Sequence, residues 1–153
     1  MKSLYIAGPL FNESERSFNL RIKNLMSKYF DVYLPQEDGG LMTAMINEGC
    51  SLQFASRYVF NQDIEAINNA DCLLIILDGR TIDEGAAFEL GYSYANGKTC
   101  VAYQSDSRRL LPCGNNPMIS NAVSEIFSNE EELIKWAKSF LGIEENRIYH
   151  ADI

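Results

Sequence analysis

Four carboxylates in the middle of the chain are the strongest candidates for chemistry: Asp63, Asp78, Asp83 and Glu89. Glu89 lies inside a nearly uncharged helical pattern, and a helix that is apolar on most sides is usually buried. A buried carboxylate needs partners or it takes up a proton. Two carboxylates beside one substrate suit glycosyl transfer, in which one attacks the anomeric carbon and the other handles the leaving group's proton. Glu89 is therefore a candidate nucleophile, with a glutamate on the exposed face of its helix as the alternative.

A tyrosine near the N-terminus is the natural hydrogen-bond partner for this glutamate. A glutamate in water has a pKa of ~4.3, so a modest rise on burial is tolerable for a nucleophile. A phenol that donates to the carboxylate stabilises its charged form. Tyr5 lies in an apolar run that ends at Gly8, and Phe11 follows at the exit of this first strand. We expect Tyr5 to donate to Glu89, with a plain core aromatic as the alternative.

Other chemistries lack their sequence signals. The chain has no GxxxxGK[ST] motif, no GxGxxG after a strand and no GxSxG motif. Its one histidine, His150, lies near the C-terminus. The four cysteines form no CxxC pair and are Cys50, Cys72, Cys100 and Cys113. Because zinc sites need clustered ligands, the sequence predicts no metal, and it predicts no cofactor.

Strand and helix patterns alternate along the whole chain. Strands are predicted at residues 4–7, 32–34, 72–77, 99–103 and 122–127. Helices are predicted after Asn12 or Ser14, at 41–50 and 52–69, from Asp83 to Gly97, and at 130–141 after Asn129, while residues 36–40 read as a polar loop. This alternation predicts an α/β, single-domain, doubly wound parallel sheet of about five strands with helices on both faces, which is flavodoxin-like. Ligands of such sheets bind outside the carboxyl ends of the strands, where the polar candidates lie.

Composition argues against several partners and locations. The chain has 153 residues and a net charge of −8, with no basic stripe, so nucleic acid and anionic membranes are not expected to bind. No apolar segment approaches the ~18–20 residues that span a bilayer. The N-terminal MKSLYIAGPLF is predicted to be a strand and not a signal peptide. We therefore expect a cytoplasmic protein.

Four separated motifs resemble the nucleoside 2-deoxyribosyltransferase family. They are YIAGPLF at 5–11, the spacing of three acidic residues, DEGAAFELGY at 83–92, and the tripeptide NPM at 116–118. Intervals of 20 and 6 residues separate Asp63, Asp83 and Glu89, as in the family. The resemblance covers residues 4 to about 118, and we expect 1–153 to form one such domain. It implies a nucleotide-salvage enzyme that cleaves the N-glycosidic bond of a 2′-deoxynucleoside and passes the deoxyribosyl group to another base.

The resemblance also implies roles for individual residues. Glu89 matches the nucleophile, which forms a covalent deoxyribosyl intermediate, and Tyr5 matches the phenol that orients it. Asp63 and Asp83 match the pair that manages the proton of the base, with a protonated Asp83 able to neutralise the departing base. Two inversions at one carbon give net retention. The predicted substrate-binding residues are Asn116, Phe11, Gln36, Asp78, Gly8 and Met118.

The implied partners are 2′-deoxynucleosides, free purine or pyrimidine bases, and further copies of the chain. Asn116 matches a sugar-hydroxyl ligand that a neighbouring subunit contributes, which implies a homo-oligomer with a shared active site. Transfer to a base requires that the second base binds before water hydrolyses the ester, so hydrolysis is the expected side reaction. A dry, closed pocket would favour transfer.

Two alternatives stay open on the sequence. A 2′-deoxynucleoside 5′-monophosphate N-hydrolase would need a phosphate pocket of Ser, Arg and backbone N–H groups. Residues 9–16 hold Ser14 and Arg16, but Glu13 and Glu15 would repel phosphate. A non-catalytic nucleotide-sensing module would be favoured by a lost nucleophile, yet all four predicted catalytic residues are present.

Overall fold

Five parallel strands form one sheet in the computed structural model, which describes residues 1–40, 42–79, 81–108 and 114–143. The strands are β1 (Ser3–Ala7), β2 (Asp31–Tyr33), β3 (Cys72–Ile76), β4 (Thr99–Tyr103) and β5 (Ile126–Phe127). Their order is β2-β1-β3-β4-β5, and every neighbouring pair is parallel. The predicted doubly wound, flavodoxin-like sheet is confirmed, and its strand order reverses between β1 and β3.

Helices in the described residues are α1 (Glu13–Met26), α2 (Pro35–Asp38), α3 (Met42–Asn47), α4 (Leu52–Asn69), α5 (Glu84–Ala95), α6 (Pro117–Ser120) and α7 (Glu130–Phe140). The expected caps are present. Asn12, Asp83 and Asn129 each accept a backbone N–H at the start of α1, α5 and α7. Gly97 follows α5 with a φ of 71°, the left-handed conformation that commonly ends a helix.

The longer helices cover both faces of the sheet, each face over its own apolar cluster. Helices α1 and α7 pack on one face through Ile22 and Trp136. Helices α4 and α5 pack on the other face through Ile67 and Leu90. Because side chains alternate along a strand, Tyr5 faces the α4–α5 side while its neighbours in β1 face the α1–α7 side. The alternation therefore directs the phenol toward α5.

Two short segments differ from the predictions. Residues 36–38, predicted as loop, belong to α2, which begins at Pro35 and is stabilised by a hydrogen bond from Leu34 N–H to Asp38 Oδ2 at 2.8 Å. The strand predicted at 122–127 keeps only its last two residues, because Ala122 lies in the turn after α6 and donates to the Ile119 carbonyl. Among the described residues, no helix combines the length and apolar character needed to cross a membrane.

Candidate active site

The central pair of the site joins Tyr5 on β1 to Glu89 on α5. The Tyr5 Oη donates a hydrogen bond to Glu89 Oε1 at 2.7 Å, and Tyr5 is fully buried while Glu89 is half-buried. Burial raises the pKa of Glu89 to about 8; the Tyr5 bond opposes this rise, and the charges of Asp63 and Asp83 add to it. The rise exceeds the modest one expected from the sequence. Burial therefore favours the protonated form of Glu89 in the free protein.

A second tyrosine–carboxylate pair lies beside the first. Tyr33, the last residue of β2, donates through Oη to Asp63 Oδ1 on α4 at 3.3 Å. The rings of Tyr5 and Tyr33 stack, with centroids 5.4 Å apart and planes 14° apart. Burial raises the pKa of Asp63, and the Tyr33 bond opposes the rise. The sequence analysis missed Tyr33; a tyrosine in each of two neighbouring parallel strands was the available signal.

Asp83 lies at the start of the helix that carries Glu89. Its Oδ2 accepts a hydrogen bond from Ala86 N–H at 2.7 Å, which caps α5. The negative charge of Asp83 also contributes to the raised pKa of Glu89. The structure therefore brings Asp63, Asp83, Glu89 and Tyr5 together in one electrostatically coupled group.

Gln36 is held by protein partners at the start of α2. Its Oε1 accepts a hydrogen bond from Asn19 Nδ2 at 3.1 Å, and its Nε2 donates to the Arg16 carbonyl at 3.0 Å. The buried Asn19 also donates to the Pro9 carbonyl at 2.8 Å. Asn19 thus connects the loop after β1 with the side chain predicted to contact the nucleobase. The sequence analysis missed Asn19, because its partner Gln36 lies on α2, a helix that the sequence did not predict.

The loop after β1 carries Gly8 and Phe11 in contrasting surroundings. A Cβ at Gly8 would lie 3.0 Å from the Cβ of Ile76 on β3, so this position favours glycine. Phe11 is 74% exposed and packs against no core. An exposed aromatic at the carboxyl end of β1 is available to a planar ligand, as the predicted pocket role requires.

Asp78 is engaged by the loop after β4. Its Oδ2 accepts from Ser105 Oγ at 2.7 Å, and its Oδ1 accepts from Asp106 N–H at 2.8 Å. These bonds connect the carboxyl ends of β3 and β4. The structure therefore gives Asp78 a loop-fixing contact, and its predicted contact with substrate stays a prediction.

Asn116 and Met118 lie on the far side of the β4 loop. Asn116 caps the short α6 by accepting from Met118 N–H at 2.9 Å, and both residues are exposed. Just before them, Gln104 and Asn115 exchange two amide hydrogen bonds at 3.2 and 2.7 Å. No hydrogen bond among the described residues links Asn116 to the Tyr5–Glu89 pair, and its predicted contact with substrate stays a prediction.

An open apolar groove runs between α5 and α6. It has a volume of about 620 Å³ and includes Met118, which is 79% exposed. The groove is lined by Ala87, Leu90, Gly91, Tyr94, Pro117, Met118, Ile119, Asn121 and Ala122. The α5 helix thus carries Glu89, which accepts from Tyr5, while other residues of the same helix line this groove.

The residues weighed as metal ligands do not cluster where they are described. Within residues 1–40, 42–79, 81–108 and 114–143, no three His, Cys, Asp or Glu side chains are grouped to hold a metal ion. Cys113 and His150 lie outside these ranges.

Comparisons with known proteins identify the family and support the fold. The nucleoside 2-deoxyribosyltransferase family model matches residues 4–152. The crystal structure of a conserved protein from Enterococcus faecalis V583 has 27% identity and a TM-score of 0.76, covering 92% of this chain and 99% of that one. A 2-deoxyribosyltransferase from Bacillus psychrosaccharolyticus has 25% identity and a TM-score of 0.71, covering 86% and 89%. A CMP N-glycosidase from Clostridium botulinum shares the fold, with 16% identity and a TM-score of 0.55. The match covers 88% of this chain and 97% of that one. No curated protein sequence matches the chain.

Proposed function

The chain belongs to the nucleoside 2-deoxyribosyltransferase family, and we propose that it transfers the deoxyribosyl group of a 2′-deoxynucleoside to another nucleobase. The observation that carries the proposal is the 2.7 Å hydrogen bond from the buried Tyr5 to Glu89. It fixes one carboxylate oxygen and leaves the other for bond formation. Residues 1–153 would act as one domain.

In the first half-reaction, the ionised Glu89 attacks C1′ of the sugar through Oε2. Tyr5 keeps its proton because burial and the Glu89 charge raise the pKa of the phenol, so it stays a donor to Oε1. The C1′–N bond breaks, and its electron pair leaves with the base. The sugar, which lacks a 2′-hydroxyl, reaches an oxocarbenium-like state readily. The product of this step is a deoxyribosyl ester of Glu89.

The departing base needs a proton, and Asp63 is the better donor of the two aspartates. Burial raises the pKa of Asp63, which favours its protonated form. Asp83 instead accepts from Ala86 N–H through Oδ2, which engages this oxygen in capping α5. General acid help of this kind is typically worth ~10²–10⁴-fold in rate. We therefore assign to Asp63 the acid role that the sequence analysis gave to Asp83, and leave Asp83 to fix α5 and contact substrate.

In the second half-reaction, the proton returns to Asp63 from the incoming base. The freed base nitrogen attacks C1′, and the ester bond to Glu89 breaks with its electron pair returning to the carboxylate. Each attack inverts C1′, so the β-configuration is retained. Water in place of the base gives hydrolysis, the expected side reaction.

We further propose that the working form is a homo-oligomer in which Asn116 of one copy completes the site of another. Asn116 and Met118 are both exposed, and Met118 lines the apolar groove beside α5. A large exposed apolar surface is typical of a protein interface. Because α5 also carries Glu89, a second copy bound in this groove would lie close to Glu89.

The start of α1 argues against a 5′-phosphate substrate. Helix N-termini bind phosphate through free N–H groups. Here Glu15 Oε2 accepts from the N–H of Phe11 and of Asn12 at 2.9 and 3.2 Å, and Arg16 donates to the Leu10 carbonyl at 3.1 Å. Two backbone N–H groups and one Arg16 donor are thus already engaged, and the Glu15 carboxylate lies beside them. The free nucleoside is therefore the proposed substrate.

The decisive experiment measures base exchange and hydrolysis side by side. The purified full chain is incubated with deoxyinosine or its 5′-monophosphate, with and without adenine or cytosine, and the products are separated by chromatography. We expect exchange with the free nucleoside, and a deoxyribosyl adduct on Glu89 by peptide mass spectrometry. Glu89→Ala should abolish both, whereas Glu84→Ala, an exposed position one turn earlier on α5, should retain both.

Each other outcome contradicts the proposal in a different way. Release of base from the 5′-monophosphate alone would indicate the N-hydrolase. Binding without conversion would indicate a nucleotide-sensing module. Exchange by a folded Glu89→Ala protein would refute the covalent mechanism.

A further inference from the structure

The two tyrosine–carboxylate pairs of the site repeat one arrangement. In each pair a strand tyrosine donates through Oη to a helix carboxylate: Tyr5 to Glu89 at 2.7 Å, and Tyr33 to Asp63 at 3.3 Å. Only the first pair is explained by the need to orient a nucleophile. The second pair therefore calls for a physical account of its own.

Sheet register places the two tyrosines side by side. Tyr5 lies opposite Tyr33 in the parallel pairing of β1 and β2, so both side chains emerge on the α4–α5 face. The rings stack at 5.4 Å with an angle of 14°. Neither ring can swing away from its carboxylate without breaking this stack. The stack thus keeps each hydroxyl group beside the carboxylate to which it donates.

The two carboxylate oxygens of Asp63 differ in their surroundings: other residues contact Oδ1, whereas Oδ2 accepts no hydrogen bond from the described residues. Tyr33 donates to Oδ1, and a Cβ on Gly39 would lie 3.3 Å from the same oxygen. That Cβ would also lie 2.6 Å from the Pro35 carbonyl oxygen, so the end of α2 packs closely only with glycine. In the described part of the chain, no side chain or backbone group donates to Oδ2.

We propose that Tyr33 is a positioning residue that holds Asp63 by Oδ1 and so presents Oδ2 to the nucleobase. This inference rests on the proposed function, because it gives Asp63 a proton to exchange with the base. Tyr33 itself does not touch the reacting atoms. Its hydroxyl fixes the direction of the carboxyl group and stabilises its ionised form.

The groups that act on Asp63 come from three elements. Tyr33 on β2 donates to it, while Tyr5 on β1 and Glu89 on α5 are electrostatically coupled to it. Burial raises the pKa of Asp63, and the Tyr33 bond is the opposing contribution. Loss of the Tyr33 hydroxyl should therefore raise that pKa further, whereas a purely structural tyrosine would leave it unchanged.

The test compares two tyrosine-to-phenylalanine variants. Tyr33→Phe keeps the stacked ring and removes only the hydroxyl. Tyr92→Phe is the matched control, because the Tyr92 hydroxyl also donates to a residue of α4 but lies outside the site. Its acceptor is Asn68 Oδ1, at 3.0 Å. The Asp63 carboxyl is titrated by carbon NMR in the full chain without substrate, and base exchange is measured separately.

We expect Tyr33→Phe to raise the Asp63 pKa. Because the carboxyl group is then no longer held toward the base, base exchange should slow about tenfold, the value of one ordinary hydrogen bond. Tyr92→Phe should change neither. An unchanged Asp63 titration, or full exchange activity in Tyr33→Phe, overturns the proposal. If the wild-type chain shows no exchange, the proposed function has failed, and the titration alone then decides whether Tyr33 holds Asp63.

Discussion

The raised pKa of Glu89 predicts that ionisation of this one carboxyl group destabilises the protein as pH rises. A glutamate in the unfolded chain ionises near its ordinary pKa of 4.5, whereas Glu89 in the folded chain holds its proton to about 8. Between these values the folded state binds one more proton than the unfolded state. The free energy of unfolding therefore falls with increasing pH. Glu89→Gln, which keeps the shape and an acceptor for Tyr5, should remove this loss.

The size of the effect follows from the same two values. Each pKa unit corresponds to ~1.4 kcal/mol, so the difference between 4.5 and 8 sets an upper bound of about 5 kcal/mol. Glu89 is only half-buried, and water at its exposed side reduces the penalty. We therefore expect Glu89→Gln to be more stable than the wild type by roughly 2 kcal/mol at high pH, and by nearly nothing at low pH.

Urea denaturation of both proteins from about pH 5 to about pH 9 measures this difference. The gain should grow through this range and level off above about pH 8, where Glu89 is ionised in both states. Glu84→Gln is the control, because Glu84 is exposed in the first turn of the same helix. A Glu89→Gln gain that is constant with pH, or absent, would refute the reasoning that burial destabilises this carboxylate.

Three further predictions concern activity and assembly. Tyr5→Phe removes the bond that favours the ionised Glu89, so the half-maximal pH of kcat/KM should move upward and exchange at neutral pH should fall about tenfold; an unmoved pH profile would deny Tyr5 this role. Asn116→Ala should raise the apparent KM for the nucleoside, and mixing it with Glu89→Ala should restore exchange, since a mixed assembly contains an intact shared site. Met118→Asp should dissociate the assembly in sedimentation, and a fully active monomer would contradict the shared site.

Much of the fold could be predicted because local signals and the fold agree. Asn12, Asp83 and Asn129 mark helix starts in the sequence and cap them in the structure. The α2 helix was not predicted, because its single turn depends on Asp38, whose carboxylate bonds the Leu34 N–H. Such a contact depends on packing, and a single helical turn is too short to show hydrophobic periodicity in the sequence. The order of the strands likewise depends on long-range pairing.

The site was predicted less completely than the fold, and for a physical reason. The residue pattern and the resemblance both indicated Tyr5 and Glu89, and the structure joins them. Tyr33 and Asn19 were missed because their roles arise from register and from α2, which bring distant segments together. The extent of the Glu89 pKa rise was missed as well, since burial of one carboxylate depends on every element packed around it.

The reciprocal amide bonds between Gln104 and Asn115 have a consequence for engineering the protein. They join the two ends of the intervening segment, so the position of Asn116 is set independently of how many residues lie between. The entropy cost of a longer closed loop grows only slowly with its length. A reporter peptide or purification tag inserted between these two residues should therefore leave the position of Asn116 unchanged.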